Sequence, residues 1–150
     1  MKILIDSNIL VYAHNTDSEF NKQSKNLMKD ALERKIHACI SIQNLLEFYS
    51  IITNPKRVEK PIKFEEAREI FNLYSKSLSI KIIYPTSKSL LMLSEFLNLF
   101  QITKAEIFDA YLVATMKENN VKTIYTENTS HFERYDFLKV VNPFNLIKEN

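Results

Sequence analysis

A chain of 150 residues that is 45% hydrophobic and 25% charged is long enough to bury one sizeable core and fits a single domain over residues 1–150. With 20 Lys and Arg against 18 Asp and Glu, the net charge of +2 announces no strongly basic or acidic partner. Glycine is absent, which excludes the P-loop and the dinucleotide fingerprint, and a lone cysteine, Cys39 in the apolar stretch HACISI, excludes an internal disulfide.

The first apolar run, Lys2 to Ile5, is short, continuous and rich in β-branched residues, as expected of a strand buried on both faces of a parallel sheet. Asp6 breaks it and no small-residue cleavage site follows, so neither a signal peptide nor a membrane span is expected, and a cytoplasmic protein is. Ser7 and Asn8 can cap a helix. Asn21 to Arg34 sets Leu27, Met28, Ala31 and Leu32 on one helical side, and His37 to Ile42 reads as a second strand. Ser41 to Ile52 (SIQNLLEFYSII) is helical and nearly all apolar, and it stops before Asn54-Pro55, where proline cannot continue a helix.

A basic loop follows at Lys56, Arg57 and Lys60. Phe64, Ala67, Ile70, Phe71, Tyr74 and Leu78 mark an amphipathic helix, and Leu90 to Phe100 another, with the strand-like SIKIIYPT between them. Glu106 to Glu118 is helical and mostly apolar, and Lys122 to Tyr125 and Leu138 to Val141 read as the last strands. This alternation implies an α/β fold, a parallel sheet with helices on both faces.

Ligands of such sheets bind outside the carboxyl ends of the strands. Asp6 ends the first strand, Glu47 is the one acid within SIQNLLEFYSII, and Asp109 interrupts the apolar IFDAYLVATM. Singly, each has an ordinary explanation as a cap, a solvated side chain or the partner of a nearby lysine such as Lys104. Together at one sheet edge, three carboxylates repel one another unless a cation holds them, and an all-oxygen set suits Mg2+ or Mn2+ better than zinc.

The stretches ILIDSNILVY, SIQNLLEFYSIITNPKRV, IFDAYLVATMKENNVKTIYTENTSHFERY and VVNPF, in this order and nearly end to end, resemble the PIN-domain ribonucleases and, among them, the VapC-type toxins of toxin-antitoxin pairs. The resemblance implies a three-layer α/β/α sandwich around a five-stranded parallel sheet, metal-dependent endoribonuclease activity, and catalytic acids at Asp6, Glu47 and Asp109. It also implies RNA as substrate and a small antitoxin protein as partner.

One departure stands out. The family usually carries a fourth acid in the segment matching TENTSHF, where this chain has Asn128 and His131. An Asn carbonyl can still ligate a hard ion, so Thr126 and Asn128 are read as supporting groups. Glu127 is the nearest substitute, but one residue along a strand-like backbone it is expected to face the other way. Ser7 and Asn8 are expected to orient Asp6.

His14, His37 and His131 share no metal spacing and read as structural, and Tyr12, Tyr49 and Tyr111 read as core or rim. Setting the three site acids aside leaves 20 basic against 15 acidic residues, an excess that suits phosphate contacts, with Lys56, Arg57, Lys60 and Lys104 as candidates. The apolar helices near Phe64 to Leu78 and Leu90 to Phe100 are expected to support a homodimer. The competing reading is a catalytically weak or inactive PIN-like module that binds RNA or protein. An aspartyl-phosphate phosphatase would need a second Asp at the position of Asn8, and a flap-type DNA nuclease a longer chain.

Overall fold

The computed structural model describes residues 1–145. Among them the chain forms five strands, β1 (Ile3–Ile5), β2 (Ala38–Ser41), β3 (Lys81–Ile83), β4 (Thr123–Tyr125) and β5 (Lys139–Val141). The helices are α1 (Ser7–His14), α2 (Asn21–Leu32), α3 (Ile42–Ile52), α4 (Phe64–Ser75), α5 (Ser87–Phe100) and α6 (Glu106–Glu118). All strand pairs are parallel, in the order β3-β2-β1-β4-β5.

Two apolar cores make this a three-layer α/β/α sandwich, and the strands divide their side chains between them. Ile3 and Ile5 of β1 and Ala38 and Ile40 of β2 face a core built with Ile9, Leu10, Leu45 and Phe48 of α1 and α3. Leu4, Cys39 and Ile124 face the opposite core, with Leu93, Ala110, Val113 and Met116 of α5 and α6. The alternation is the period-2 geometry of a strand, and burial on both faces explains why β1 is continuously apolar in sequence.

Helix starts follow side-chain caps. Asp6 accepts from the Ser7 N–H at 2.7 Å to open α1, and Ser41 accepts from the Asn44 N–H at 2.9 Å to open α3. Helix α5 begins at Ser87, three residues ahead of the first periodic leucine, because Thr86 and Ser89 form a reciprocal capping box. Helix α4 ends at Ser75, short of the expected Leu78. There Ser77 Oγ accepts from the backbone N–H groups of Ser79 and Ile80, which turns the chain toward β3 and leaves Leu78 exposed.

The order of strands reverses at β1, where β2 lies on one side and β4 on the other. That is the topological switch point of an open parallel sheet, and the crevice beyond it is where such folds bind ligands.

One buried polar contact lies away from that crevice. His14 Nε2 meets the Tyr74 hydroxyl at 2.7 Å, and burial pushes the His14 pKa down to about 4, so the ring is neutral at pH 7. Tyr74→Phe leaves a buried ring nitrogen without its partner. The expected cost is about 1–2 kcal/mol, read as a lower urea midpoint with an unchanged m-value.

Candidate active site

Asp6 follows β1 directly, and its backbone N–H donates to the Tyr125 carbonyl at 3.0 Å, continuing the β1–β4 ladder by one bond. This fixes the carboxylate at the switch point. Its Oδ1 accepts from the Ser7 N–H at 2.7 Å and from Asn44 Nδ2 at 3.0 Å. Its Oδ2 accepts from the Thr126 hydroxyl at 2.6 Å and from Asn8 Nδ2 at 3.3 Å. Thr126, just past β4, in turn accepts from Asn8 Nδ2 at 3.1 Å and from the Asn128 N–H at 3.0 Å. Asn44 is itself held by Ser41, whose hydroxyl donates to Asn44 Oδ1 at 2.7 Å.

Asp6 is therefore rigid, and it is out of water. Burial raises its pKa to about 6 against the opposing hydrogen bonds from Thr126 and Ser7, and the charges of Glu47 and Asp109 push in the same direction as burial.

Asp6, Glu47 and Asp109 line one cleft of about 690 Å³. Ser7 links the first two, its hydroxyl donating to Glu47 Oε2 at 2.9 Å and lying 3.4 Å from Asp6 Oδ1. Glu47 projects into solvent from α3, whereas Asp109 in the first turn of α6 is half-buried. Burial raises the Asp109 pKa, opposed by His131, whose Nδ1 stands 3.0 Å from Asp109 Oδ2. The nearby lysine is not its partner.

One expectation needs correction here. Glu127 does not face away: β4 ends at Tyr125, the chain bends, and Glu127 lines the same cleft, where its Oε2 accepts from the Tyr12 hydroxyl at 3.0 Å. Burial, together with Glu127, pushes the Tyr12 pKa up to about 12, so the phenol remains a donor. The 3-10 turn Thr129–His131 carries the His131 ring over Asp109 at the cleft wall. The period-2 pattern ends before these residues, so spacing could not reveal their direction. The sequence signal available was the histidine at a place where a fourth acid is usual.

The basic candidates separate. Arg57 lines the cleft, Lys60 is engaged with Asp17 at 2.8 Å, and Lys56 is exposed with its backbone N–H turned onto Asn54. Lys104 lines a smaller groove that adjoins the cleft at Asp109 and His131.

The residues suit a hard cation by donor chemistry. Two side-chain oxygens in the cleft, Asn8 Oδ1 and Gln43 Oε1, are buried without a hydrogen-bond partner, and carboxylate oxygens supply the rest. Among the described residues, however, no three His, Cys, Asp or Glu side chains close on one point as a finished ligand set.

The PIN domain family matches this chain over residues 3–138. Ribonuclease VapC24 of Mycobacterium tuberculosis is 27% identical over 142 residues, covering 93% of this chain and 94% of that protein. The fold is shared with M. tuberculosis VapC20, a sarcin-ricin loop cleaving toxin (TM-score 0.63, 14% identity, 86% of this chain and 92% of that one). It is shared also with VapBC2 from Rickettsia felis bound to a promoter DNA fragment (TM-score 0.62, 21% identity, 94% of this chain and 98% of that one).

Proposed function

The chain belongs to the PIN-domain family, and from that premise we propose that it is an Mg2+- or Mn2+-dependent endoribonuclease, the toxin of a toxin-antitoxin pair. The observation that carries this reading is the buried, fourfold hydrogen-bonded Asp6 carboxylate at the sheet's switch point, sharing a cleft with Glu47 and Asp109. The relative at 27% identity that is named a ribonuclease supports it.

In this reading Asp6 and Asp109 hold the ion. When bound, the ion supplies Lewis acidity at the scissile phosphate and lowers the pKa of a water. Glu47, its carboxylate tied to Asp6 through Ser7 and yet exposed to solvent, would act as a proton acceptor for a water in the cleft. Thr126 and Asn8 are positioning residues that keep Asp6 Oδ2 aimed. Arg57 supplies a cation in a cleft that also carries four carboxylates.

Between the two candidates for the missing fourth acid, the Tyr12 hydrogen bond favours Glu127. Glu127→Gln is expected to lower RNA cleavage by about 10-fold, the scale of losing one supporting charge at a metal site. Asn128→Ala should change it by less, since the backbone N–H of Asn128, and not its side chain, holds Thr126. Rates on one fixed RNA at saturating Mn2+ decide. The reverse order of effects would return the supporting role to Asn128.

An antitoxin and a second copy of the chain are the proposed protein partners. Leu73 of α4 and Leu90, Leu91 and Leu99 of α5 are exposed, large apolar side chains that a protein partner would cover. No helix among the described residues is long and apolar enough to cross a membrane, so that surface is not explained by a helical span. Light scattering at micromolar concentration should return twice the chain mass of 17.7 kDa. A monomer would count against self-association.

A further inference from the structure

The carboxylates that suit the cleft to a cation make it a poor place for the rest of an RNA strand. Asp6, Glu47, Asp109 and Glu127 line it against Arg57 as the one Lys or Arg. Phosphates flanking the scissile one must therefore be held outside it.

Beside Asp109 and His131 a second groove of about 300 Å³ opens, lined beyond them by Lys104, Ala105, Glu106, Ser130, Arg134 and Tyr135, so that its two cations stand with two carboxylates, one of which, Glu106, is already paired. Its guanidinium is already aimed. Arg134 Nη2 donates to Glu106 Oε1 at 2.8 Å, and Glu106 Oε2 accepts from the Thr103 N–H at 3.3 Å. Both Glu106 oxygens are thus engaged in fixing Arg134 to the α5–α6 connection, and the five donors of a guanidinium leave several for a ligand. The Arg134 side chain keeps 33% of its surface exposed. Lys104 is exposed just ahead of α6, on the same groove.

We infer that this side groove is a backbone-phosphate subsite: the RNA strand leaves the carboxylate cleft past Asp109 and His131 and sets a neighbouring phosphate between Lys104 and Arg134, within reach of the Ser130 hydroxyl. The choice of RNA as ligand rests on the ribonuclease reading; the groove and its two cations do not. The subsite gives the cleft a direction, because the strand passes a lysine and an arginine on the α6 side. It also assigns a role to Arg134, which no spacing in the sequence singled out.

The test is binding of a short labelled single-stranded oligoribonucleotide in EDTA, over a series of salt concentrations, by the full chain and by Lys104→Ala, Arg134→Gln and the double variant. Each phosphate contact on a single strand contributes about 0.7 to the slope of log affinity against log salt, so the double variant should lose about 1.4 of slope and bind about 10-fold more weakly near 100 mM salt. Lys81→Ala, at the start of edge strand β3, should change neither. Lys104→Ala removes an exposed side chain and keeps the test valid if loss of the Glu106 pairing weakens the fold of the Arg134 variants. Wild-type affinity and slope in Lys104→Ala and the double variant would overturn the subsite. Cleavage of the same RNA by the wild type with Mn2+ is scored separately. A protein that cleaves while the variants bind normally loses the subsite and keeps the nuclease reading, and a protein whose variants lose binding but which never cleaves keeps the subsite and loses that reading. Failure of the wild type to bind the oligonucleotide at all overturns both.

Discussion

Asp6→Asn should lower metal-dependent RNA cleavage by at least about 1,000-fold, equivalent to about 4 kcal/mol of transition-state stabilisation, while the protein stays folded. The loss follows from the position of the carboxylate, buried at the switch point and held by Ser7, Asn44, Thr126 and Asn8. An amide there keeps one oxygen for Ser7 and Asn44, which preserves the cap of α1. Its NH2 would meet the Thr126 hydroxyl, which can turn to accept, and Asn8, whose buried Oδ1 has no partner now and would gain one if the Asn8 amide flipped. The flip exchanges one unpartnered Asn8 atom for another, so the substitution adds little hydrogen-bond cost, and it removes a carboxylate whose ionisation is disfavoured by burial. A far-UV spectrum and a thermal melt test the second half. A variant that loses activity and melts many degrees lower without metal would mean that Asp6 is chiefly structural.

The pH dependence of stability separates two groups that oppose each other. Asp6 rises from 3.8 to about 6 on folding, so between those pH values the native state keeps a proton that the unfolded chain has released. Its contribution is fully present below pH 3.8 and about 3 kcal/mol is lost as pH rises through 6. His14 falls from 6.5 to about 4, so its contribution is present above pH 6.5 and about 3 kcal/mol is lost as pH falls toward 4. The windows nearly coincide and the signs are opposite. Metal-free wild type should show an almost flat urea stability from pH 4.5 to 6.5, whereas Asp6→Asn should gain about 2 kcal/mol across the same range because the His14 slope stands alone. Millimolar Mn2+ should stabilise the wild type at pH 7.5 and have little effect at pH 4.5, since the ion competes with the proton on Asp6. An Asp6→Asn profile as flat as the wild type, or an equal Mn2+ effect at both pH values, would contradict this assignment.

The sheet was legible because burial on both faces leaves an unbroken apolar run: ILI, ACIS and TIY all lie in strands or at their ends. The three acids were legible as polar residues in such surroundings. What escaped was set by caps and turns rather than by periodicity. TSKS looks like a loop until Thr86 and Ser89 are seen to cap one another. The direction of Glu127 depends on where β4 stops, and the place of His131 on a 3-10 turn three residues long. The pairing of Arg134 with Glu106, 28 residues apart, is a product of tertiary folding with no local signal. The closeness of the acids was overestimated in one respect. They share a cleft, but among the described residues they do not close on one point, and Glu47 is tied through Ser7 and Asp109 through His131.

Whether this cleft cuts RNA with the help of a divalent ion is decided by cleavage of total RNA with the purified, antitoxin-free chain, first in EDTA and then with Mn2+ restored. No cleavage is expected in EDTA, discrete fragments after Mn2+ is added, and none from Asp6→Asn under either condition. Cleavage that persists in EDTA or in Asp6→Asn would contradict metal-dependent cutting by this cleft, and a wild type that binds RNA but yields no fragments with Mn2+ would make the chain a binding module instead.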